Sequence, residues 1–352
     1  MIFLLLLLLP SQLGIHFWPD WALVNGIRVD YLSPTLYLTD LIIFGLIIKN
    51  KFRIKIHFPI LLLITLNIFF SLSPFTSILK WLRILEYYWL YKYLVSQPLI
   101  SNFQFPISIA ILWTSILAWM QFIKQGSIGG LWYWLGERTF NVFTPNIAKV
   151  FWEELILRPY ATFPHPNVLA GWLVVTGLLT GGWSMAIAFT AVIFTFSRTA
   201  IFAAIAAIII KKRKYFLLPF LLVPFMIPGS PDSYIDRIEL FKNSLNIIHA
   251  YPLFGTGLGN FVRLSPQPVH NVFLLALSEL GIPLFLIFCH LIIKSFKHSL
   301  KIVLAVIAIT AMNDHYWWTI PQMQLLFTFF LVFAVKYSHD HLSDIYRRRI
   351  QR

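Results

Sequence analysis

The sequence predicts an all-α fold, namely a polytopic helical membrane protein with about twelve transmembrane helices and an external amphipathic helical loop. Composition is the first observation, because 58% of the 352 residues are hydrophobic and only 12% are charged, far from the balance of a soluble domain. The second is that apolar runs recur along the whole chain. Lipid offers the backbone no hydrogen bonds, so such runs must form helices or a closed barrel, and their lack of alternation favours helices.

The candidate spans follow the apolar runs, and several are shorter than the roughly 20 residues that a crossing helix needs. They cover about residues 1–13, 34–49, 57–73, 77–97, 104–123, 167–182, 183–197, 198–211, 215–229, 270–293, 300–314 and 320–337. The first run lacks a basic start and a small-residue cleavage site, which favours a short membrane helix over a signal peptide. We see no internal repeat and no linker, so we expect a single membrane domain over residues 1–352.

The net charge of +14 is concentrated in short clusters between the apolar runs. These clusters are 49–55, 211–214, Lys294 with Lys297 and Lys301, and the tail 336–352. If the chain starts in the cytoplasm and alternates, all four clusters fall inside, as the positive-inside rule requires. We therefore expect a protein of the plasma (inner) membrane with both termini cytoplasmic. We expect membrane lipids as its surroundings and no nucleic acid as a partner.

The same alternation places two longer polar segments outside the membrane, residues 126–166 and 229–269. Both are nearly balanced in charge and contain the aromatic side chains that suit a membrane interface. The second contains YIDRIELFKNSLNIIH, whose apolar residues recur at helical spacing. We therefore expect an amphipathic helix on the outer face, with its apolar side formed by Ile235, Ile238, Leu245 and Ile248.

The polar residues predicted on the outer face are mostly arginines and histidines. They come from the stretches RPYATFPHPNVLAGW, TFSRTA, YIDRIELF, PVHN and NDHYWW, and they are Arg158, His165, Arg198, Arg237, His270, Asp314 and His315. Guanidinium groups match phosphate oxygens and stay charged at any working pH. A histidine titrates near neutrality and can accept the proton of an attacking hydroxyl. Together they suit transfer from a lipid-linked phosphate donor to a hydroxyl acceptor.

Two of these residues have a structural alternative. Arg198 stands at a predicted helix end, where an arginine can reach the lipid headgroups. His165 lies between two prolines at the mouth of a predicted helix, so a capping role competes with a role in binding.

A metal site and a phosphate-binding glycine loop are both disfavoured. The histidines do not follow HxxxH or HxxE spacing, and we expect no acidic ligands to cluster with them, so we expect neither a metal nor a cofactor. GTGLGN neither follows a strand nor precedes a helix in the required way. Glu279 lies nine residues beyond His270, half a turn away and about 13 Å deeper along a continuous helix. It therefore cannot orient His270, and we expect it to be protonated or to have a partner on another helix.

Several of these stretches resemble a known family. HNVFLLALSELGIP resembles the HN-x-hydrophobic-E-x-G signature of the O-antigen ligase and O-antigen polymerase superfamily. AYPLFGTGLGNF resembles the element that precedes this signature, and RPYATFPHPNVLAGW and TFSRTA resemble two earlier stretches in the same order. The resemblance covers about residues 140–340. It implies a multi-pass glycosyltransferase that acts at the outer face, without a metal, on glycans linked to undecaprenyl diphosphate.

The resemblance also implies residue roles. Arg198 and Arg237 correspond to arginines that bind the diphosphate, although Arg263 lies in the same loop as Arg237. His270 corresponds to a histidine that serves as base or binds near the acceptor. The loop 229–269 is short for a ligase that docks a lipid A core, which leaves a polymerase or another acceptor open.

The sequence thus predicts an inverting, metal-independent glycosyltransferase that uses a lipid or glycan acceptor. His270, Arg198 and Arg237 are the predicted catalytic residues. The predicted substrate-binding residues are Arg158, His165, Arg263, Asp314 and His315. A polysaccharide transporter or flippase is the rival, but it would place charges at midplane on broken helices, often in repeated halves, and the sequence indicates neither feature. A non-catalytic scaffold for glycan export is a third possibility.

Overall fold

The computed structural model describes the backbone of residues 1–50, 52–97, 103–212, 218, 221–227, 231–295 and 300–350. Within these ranges it describes no side chain at 152, 211–212, 223–224, 231–234, 294–295 and 337–350. The fold is mostly helical, at 68% helix and with fourteen helices in the described part of the chain. The all-α prediction is therefore confirmed.

The helices follow the predicted apolar runs closely. They are α1 (Ile2–Leu7), α2 (Leu38–Asn50), α3 (Phe58–Phe69), α4 (Pro74–Ser96), α5 (Gln104–Lys124), α6 (Pro166–Thr180), α7 (Gly182–Phe194), α8 (Arg198–Lys212), α9 (Val223–Met226), α10 (Pro231–Ala250), α11 (Val272–Ser295), α12 (Lys301–Asn313), α13 (Tyr316–Thr319) and α14 (Pro321–Ile350). The first predicted span is helical only over α1, and most of the ninth lies outside the described residues. Each of the others coincides with a helix, although α14 continues well past its predicted end.

Helix length supports membrane crossing for only part of this set. Within the described residues, two helices are long and apolar enough to cross a bilayer, Gln104–Lys124 and Val272–Ile293. Six shorter apolar helices of 10–17 residues accompany them. The prediction of twelve spans is therefore not confirmed by the helices themselves.

Short strands occupy segments where no helix was predicted, except for Thr35–Tyr37, which lies at the start of the span predicted over 34–49. Three antiparallel pairs occur in the described residues: β1 (Gly14–His16) with β4 (Thr35–Tyr37), β2 (Leu23–Val24) with β3 (Ile27–Arg28), and β5 (Lys149–Trp152) with β6 (Glu154–Leu157). Strands of two to four residues are too short for their alternation to be recognised in a sequence. The first two pairs fold residues 14–37 into a cap, and its Trp21 stacks on Phe75 at the start of α4 with ring centroids 6.0 Å apart.

The predicted amphipathic helix is α10, but the face that it buries differs from the expected one. Leu240, Ser244 and Ile247 are buried. Three of the four apolar residues behind the prediction are instead exposed, Ile235 by 61%, Ile238 by 43% and Leu245 by 46%. The apolar stripe of α10 therefore faces away from the protein.

Helix α11 is broken in its middle, which the sequence reading of a continuous helix missed. Gly281 has φ +71° and ψ 172°, a conformation that glycine adopts most readily. The segment 252–258 lies across the break. The amide of Thr256 donates to the carbonyl of Ser278 (2.9 Å), and the amide of Ile282 donates to the carbonyl of Pro252 (2.8 Å). The backbone groups freed by the break are thus satisfied within the protein.

Glu279 stabilises this junction by accepting hydrogen bonds from several segments. Its backbone carbonyl accepts from the Asn67 side chain (2.9 Å) and from the amide of Gly257 (3.1 Å). Its carboxylate accepts from the Phe261 amide (3.3 Å) and from Nε1 of Trp318 on α13 (2.8 Å). The expected partner on another helix is therefore found, and the role of Glu279 is to join α3, α11, α13 and the 252–261 segment.

The break yields a stability prediction. A Cβ on Gly281 would lie 2.4 Å from the carbonyl oxygen of Leu253. We expect Gly281→Ala to lower the free energy of unfolding by about 2–5 kcal/mol, since positive-φ strain costs ~1–2 kcal/mol and overpacking ~1–3 kcal/mol. Reversible unfolding in detergent measures this. Gly26→Ala is the control, because Gly26 has φ +78° but no atom within 4 Å, so only the strain contributes. Equal losses in both variants would contradict the packing argument.

Candidate functional site

His270, Asp314 and His315 meet at the start of α11, the end of α12 and the start of α13. His270 precedes α11, and the neighbouring Asn271 caps that helix by accepting from the amide of Leu274 (3.0 Å). The Asn271 side chain also donates to the carbonyl of Met312 near the end of α12 (3.1 Å), which brings the two helix ends together. Nδ1 of His270 lies 3.5 Å from Oδ1 of Asp314, and the two histidine rings are 5.3 Å apart. The predicted convergence of the PVHN and NDHYWW stretches is therefore confirmed.

The Asp314 carboxylate is buried and held by two donors. Oδ1 accepts from the amide of His315 (2.8 Å), and Oδ2 accepts from Nδ2 of Asn167 (3.1 Å). Burial alone would raise the pKa of Asp314, but its interactions with His270, His315 and His165 lower it well below the ordinary value. Asp314 is thus an anion in the middle of a histidine cluster.

His315 is buried between Thr319 and Asp314. Its Nδ1 lies 2.9 Å from the hydroxyl of Thr319, and its Nε2 lies 3.9 Å from Oδ1 of Asp314. Burial lowers the pKa of His315 to about 4, with help from His270 and Arg237 and against the attraction of Asp314. His315 is neutral at pH 7.

His165 has the structural role that the sequence left open. It is the N-cap of α6, and its Nδ1 accepts from the amide of Asn167 (3.1 Å). Burial and the charge of Arg158 together lower the pKa of His165 to about 3, against the attraction of Asp314. His165 is therefore a neutral helix cap beside the cluster.

Arg158 donates two hydrogen bonds to protein groups. Its Nε donates to the carbonyl of Thr195 (2.7 Å), and its terminal amine donates to Oδ1 of Asn167 (2.7 Å). Burial and the charge of Arg198 lower the pKa of Arg158 to about 10, so it remains charged at pH 7. These bonds connect the end of α7, the start of α6 and the Asp314 carboxylate.

Arg198 and Arg237 lie at the rim of the cluster. Arg198 is exposed at the first residue of α8 and makes no hydrogen bond or ion pair within the described part of the chain. Its neighbours Ser197 and Thr199 line a small cavity of about 10 Å³ together with Asp314 and Asn167, among others. Arg237 on α10 is partly buried, and its guanidinium donates to the carbonyl of Asn313 (3.4 Å). Both rim arginines thus retain donors that no acceptor among the described residues uses.

Arg263 lies outside the cluster. Its guanidinium donates to Oδ1 of Asn260 (2.9 Å), to the hydroxyl of Thr76 (3.3 Å) and to the carbonyl of Trp21. These contacts join the cap 14–37 to α4 and to the 252–264 segment. These contacts give Arg263 a structural role, and its role in substrate binding stays a prediction.

Two residues of the site were missed in the sequence. Asn167 bridges Arg158 and Asp314. Tyr31 of the cap packs edge-on against the ring of His315, with centroids 5.6 Å apart. Burial raises the pKa of Tyr31 far above the ordinary value, and the charges of Asp314 and Asp30 add to the effect. No local pattern in the sequence marks Tyr31, because its contact is made across nearly the whole chain.

The cluster also corrects the argument against a metal site. An acidic residue does lie among the histidines, since ligand atoms of His270, Asp314 and His315 are all within 4.8 Å of one another. Two imidazoles and one carboxylate are ligands that a divalent transition metal accepts. Spacing rules missed this group because α11 and α13 bring its members together from different parts of the chain.

A groove of about 540 Å³ lies beside the cluster. It is bounded by the cap, α2 and α4, and its walls are mainly apolar, including Phe17, Leu32, Phe44, Leu79 and Leu82. Leu32 and Ser33 line it directly after Tyr31, so the groove and the cluster share the cap as a wall.

Charged side chains on α4 face this groove. Arg83 forms a bidentate ion pair with Asp40 of α2, with both oxygens at 2.9 Å. Lys80 and Glu86 also line the groove, and Oε1 of Glu86 is buried without a hydrogen-bond partner. The volume is within the ~300–1,000 Å³ typical of ligand sites.

Comparisons with known proteins do not identify the chain. The sequence matches no protein-family model and no curated protein, and the structure matches no solved structure.

The buried neutral histidines predict a loss of stability in acid. The pKa of His165 falls from 6.5 in the unfolded chain to about 3 in the folded protein, so the unfolded state binds more protons between these values. The free energy of unfolding should therefore decrease as the pH falls below 6.5, by up to ~1.4 kcal/mol per pH unit for each such histidine. Unfolding measured from pH 7 to pH 4 tests this.

His165→Asn should reduce the slope of this decrease by the contribution of one histidine, up to ~1.4 kcal/mol per pH unit. Asparagine can still cap α6 but does not titrate. His249→Asn is the matched control, since His249 is exposed at the end of α10. An unchanged slope in His165→Asn would show that His165 is not a buried neutral base.

Proposed function

We propose that this chain is a multi-pass membrane glycosyltransferase. It would transfer or polymerise a glycan from an undecaprenyl-diphosphate-linked donor onto a hydroxyl of a lipid or glycan acceptor. One observation carries the proposal: Arg198 and Arg237 flank a histidine–aspartate cluster, and acceptors among the described residues leave their guanidinium donors largely unused. Such donors suit a diphosphate, and an adjacent imidazole suits an acceptor hydroxyl.

The surface of the helices supports a membrane location. Large apolar side chains are exposed on helices throughout the chain, for example Phe58 (74%), Ile123 (82%), Ile193 (60%) and Ile293 (64%). Exposed large apolar side chains in this number are typical of proteins that contact lipid. The outward stripe of α10 would lie in the membrane interface. Twelve spans, including the shorter helices, remain part of the proposal.

The contacts of α4 support an orientation. At its C-terminal end, Phe52 of the first basic cluster packs on Tyr93, and Lys336 at the start of the basic tail donates to the carbonyl of Gln97. At its N-terminal end α4 contacts the cap, which covers His315. The basic clusters described here and the candidate site therefore lie at opposite ends of α4. With the basic end cytoplasmic, the site would face outward across the plasma membrane.

The proposed reaction needs no cofactor. The acceptor oxygen attacks the anomeric carbon, and the bond from that carbon to the phosphate oxygen breaks with its electron pair leaving on the diphosphate. Arg198 and Arg237 would bind this diphosphate and stabilise the charge that develops on it. His270 would take the hydroxyl proton. Attack from the face opposite the leaving group inverts the anomeric centre.

The groove would hold the apolar chain of the donor. It lies beside the cluster and is lined mainly by apolar side chains. Lys80 adds a positive charge to the wall without an acidic partner at ion-pair distance among the described residues. This arrangement suits a lipid whose head is an anion.

Membership of the O-antigen ligase and polymerase superfamily is part of the same proposal. Three of the stretches that carry the resemblance contribute to the site: Asn167 comes from one, Arg198 from another and His270 from a third. The fourth, around Gly255 and Gly257, packs against Glu279. The proposal covers both ligation and polymerisation, since each transfers a glycan from the diphosphate-linked donor to a hydroxyl.

One feature of the structure favours the transporter alternative, and the hydrogen bonds around that feature argue against it. The break at Gly281 is a discontinuous helix of the kind that transporters use to bind substrate. In those proteins the freed backbone groups face a cavity. Here the carbonyls of Ser278 and Glu279 already accept from Thr256, Gly257 and Asn67, so the break is a packing junction.

Reconstitution with a lipid-linked oligosaccharide and candidate acceptors tests the proposal. The wild-type protein should produce extended or transferred glycan, whereas a flippase would only move the donor across the bilayer. Arg198→Ala and His270→Ala should each abolish transfer, a loss of at least ~100-fold, and Arg237→Ala should raise KM for the donor.

Lys124→Ala and His249→Ala are controls matched in residue chemistry, since both side chains are exposed and neither contacts the cluster in the described structure. Both should transfer at the wild-type rate with normal membrane insertion. Full activity of Arg198→Ala or His270→Ala would refute the assignment of these residues.

A second prediction concerns the groove. Leu82→Trp should fill the space between the cap, α2 and α4, and should raise KM by about tenfold, or ~1.4 kcal/mol, for donors with a full-length chain. Donors with two or three isoprene units should be unaffected. Leu41→Trp is the control, because Leu41 is 52% exposed on α2 but does not line the groove. Equal effects on long and short donors would exclude the groove as the chain site.

A further inference from the structure

We propose that Asp314 is a positioning residue that acts through His270, and that Arg158 and Asn167 hold Asp314 in place for this task. The inference rests on the proposed role of His270 as proton acceptor and deepens it. It also gives Arg158 and Asp314 a role other than direct contact with substrate.

The orientation of the His270 ring is the first step. Its Nδ1 is buried, lies 3.5 Å from Oδ1 of Asp314 and has no hydrogen-bond partner closer than that. The His270 side chain as a whole is 24% exposed, so its exposed part lies on the edge that carries Nε2. The ring thus directs one nitrogen at a buried carboxylate and the other outward, where a substrate would bind.

A carboxylate in this position has a defined chemical effect. It favours the tautomer with the hydrogen on Nδ1, which leaves the lone pair on Nε2 for the acceptor hydroxyl. When the hydroxyl proton moves to Nε2, the resulting imidazolium is stabilised by Asp314, which itself stays ionised. A separation of 3.5 Å is long for a hydrogen bond, but such bonds often shorten when substrate binds.

The support of Asp314 is the second step. The guanidinium of Arg158 can only donate, so it fixes the Asn167 amide with Oδ1 toward Arg158 (2.7 Å). Nδ2 of Asn167 must then point the other way, where it donates to Oδ2 of Asp314 (3.1 Å). The amide of His315 holds Oδ1 (2.8 Å). The chain Arg158–Asn167–Asp314–His270 is therefore directional, with each donor set by the group before it.

The charges around His270 come from four elements. Asp314 follows α12 and His315 begins α13, whereas Arg237 approaches from α10 and His165 from the start of α6. His315 and His165 are neutral, since burial lowers the pKa of each to about 4 and about 3. Within the described structure, Asp314 is thus the carboxylate in ion-pair range of His270.

The kinetic test uses Asp314→Asn in the reconstituted transfer assay. The variant keeps the shape of the side chain but removes the charge that selects the tautomer, so kcat should fall by ~100-fold or more while KM for the donor changes less than about twofold. Asn167→Ala should give a smaller fall in kcat, again with KM unchanged. A raised KM with normal kcat in Asp314→Asn would make Asp314 a substrate contact and overturn the inference.

A spectroscopic test does not depend on activity. In protein labelled with ¹⁵N-histidine, the signal of His270 is assigned by its absence from His270→Gln. The wild type should show the hydrogen on Nδ1, and Asp314→Asn should move it to Nε2. An unchanged tautomer would overturn the inference even if transfer is confirmed. Conversely, failure of wild-type protein to transfer glycan, with the tautomer shift present, would refute the proposed function alone.

A metal assay distinguishes the positioning role of Asp314 from metal binding by the cluster. Protein purified without chelator and analysed for metal should contain none, and addition of EDTA should leave both transfer and the His270 signal unchanged. One equivalent of a divalent ion in the wild type, lost in Asp314→Asn, would identify the cluster as a metal centre and overturn the positioning role.

Discussion

The junction at Gly281 is the constraint on which the arrangement of this protein depends. A broken helix leaves backbone groups without partners, and in an apolar surrounding each such group costs several kcal/mol unless it is satisfied. The 252–258 segment satisfies them, and Glu279 extends the junction to Asn67 on α3 and Trp318 on α13. One short region therefore determines how α3, α11 and α13 lie relative to each other.

The candidate site inherits its geometry from this junction. His270 precedes the first half of α11, and His315 begins α13, the helix whose Trp318 donates to Glu279. The same carboxylate thus connects the helices that position both histidines, although it lies too deep to contact either ring. A second carboxylate, Asp314, then joins the two histidines to the start of α6. Glu279 fixes the positions of the helices, whereas Asp314 supplies a negative charge beside the two histidines.

Much of this organisation was predictable from local patterns. Helix positions followed from apolar runs, because a backbone without water must bond to itself. Alternation of the spans predicts that the stretches with Arg198, Arg237 and His270 share one face of the membrane, and this stays a prediction. His165 was recognised as a possible cap because its position between two prolines precedes a helix. The partner requirement of Glu279 followed from the cost of an isolated buried charge.

The sequence by itself determined the helices and the kinds of side chain available for chemistry, since these depend on composition and on neighbours a few residues apart. Only the tertiary structure decided which arginines make hydrogen bonds among the described residues. Arg158 and Arg263 resemble Arg198 in the sequence, yet carbonyls and side chains from distant segments occupy their donors. It also decided the break in α11 and the contact of Tyr31 with His315. Hydrogen bonds between segments far apart in the chain leave no local pattern, so the direction of each donor is settled only when the helices pack.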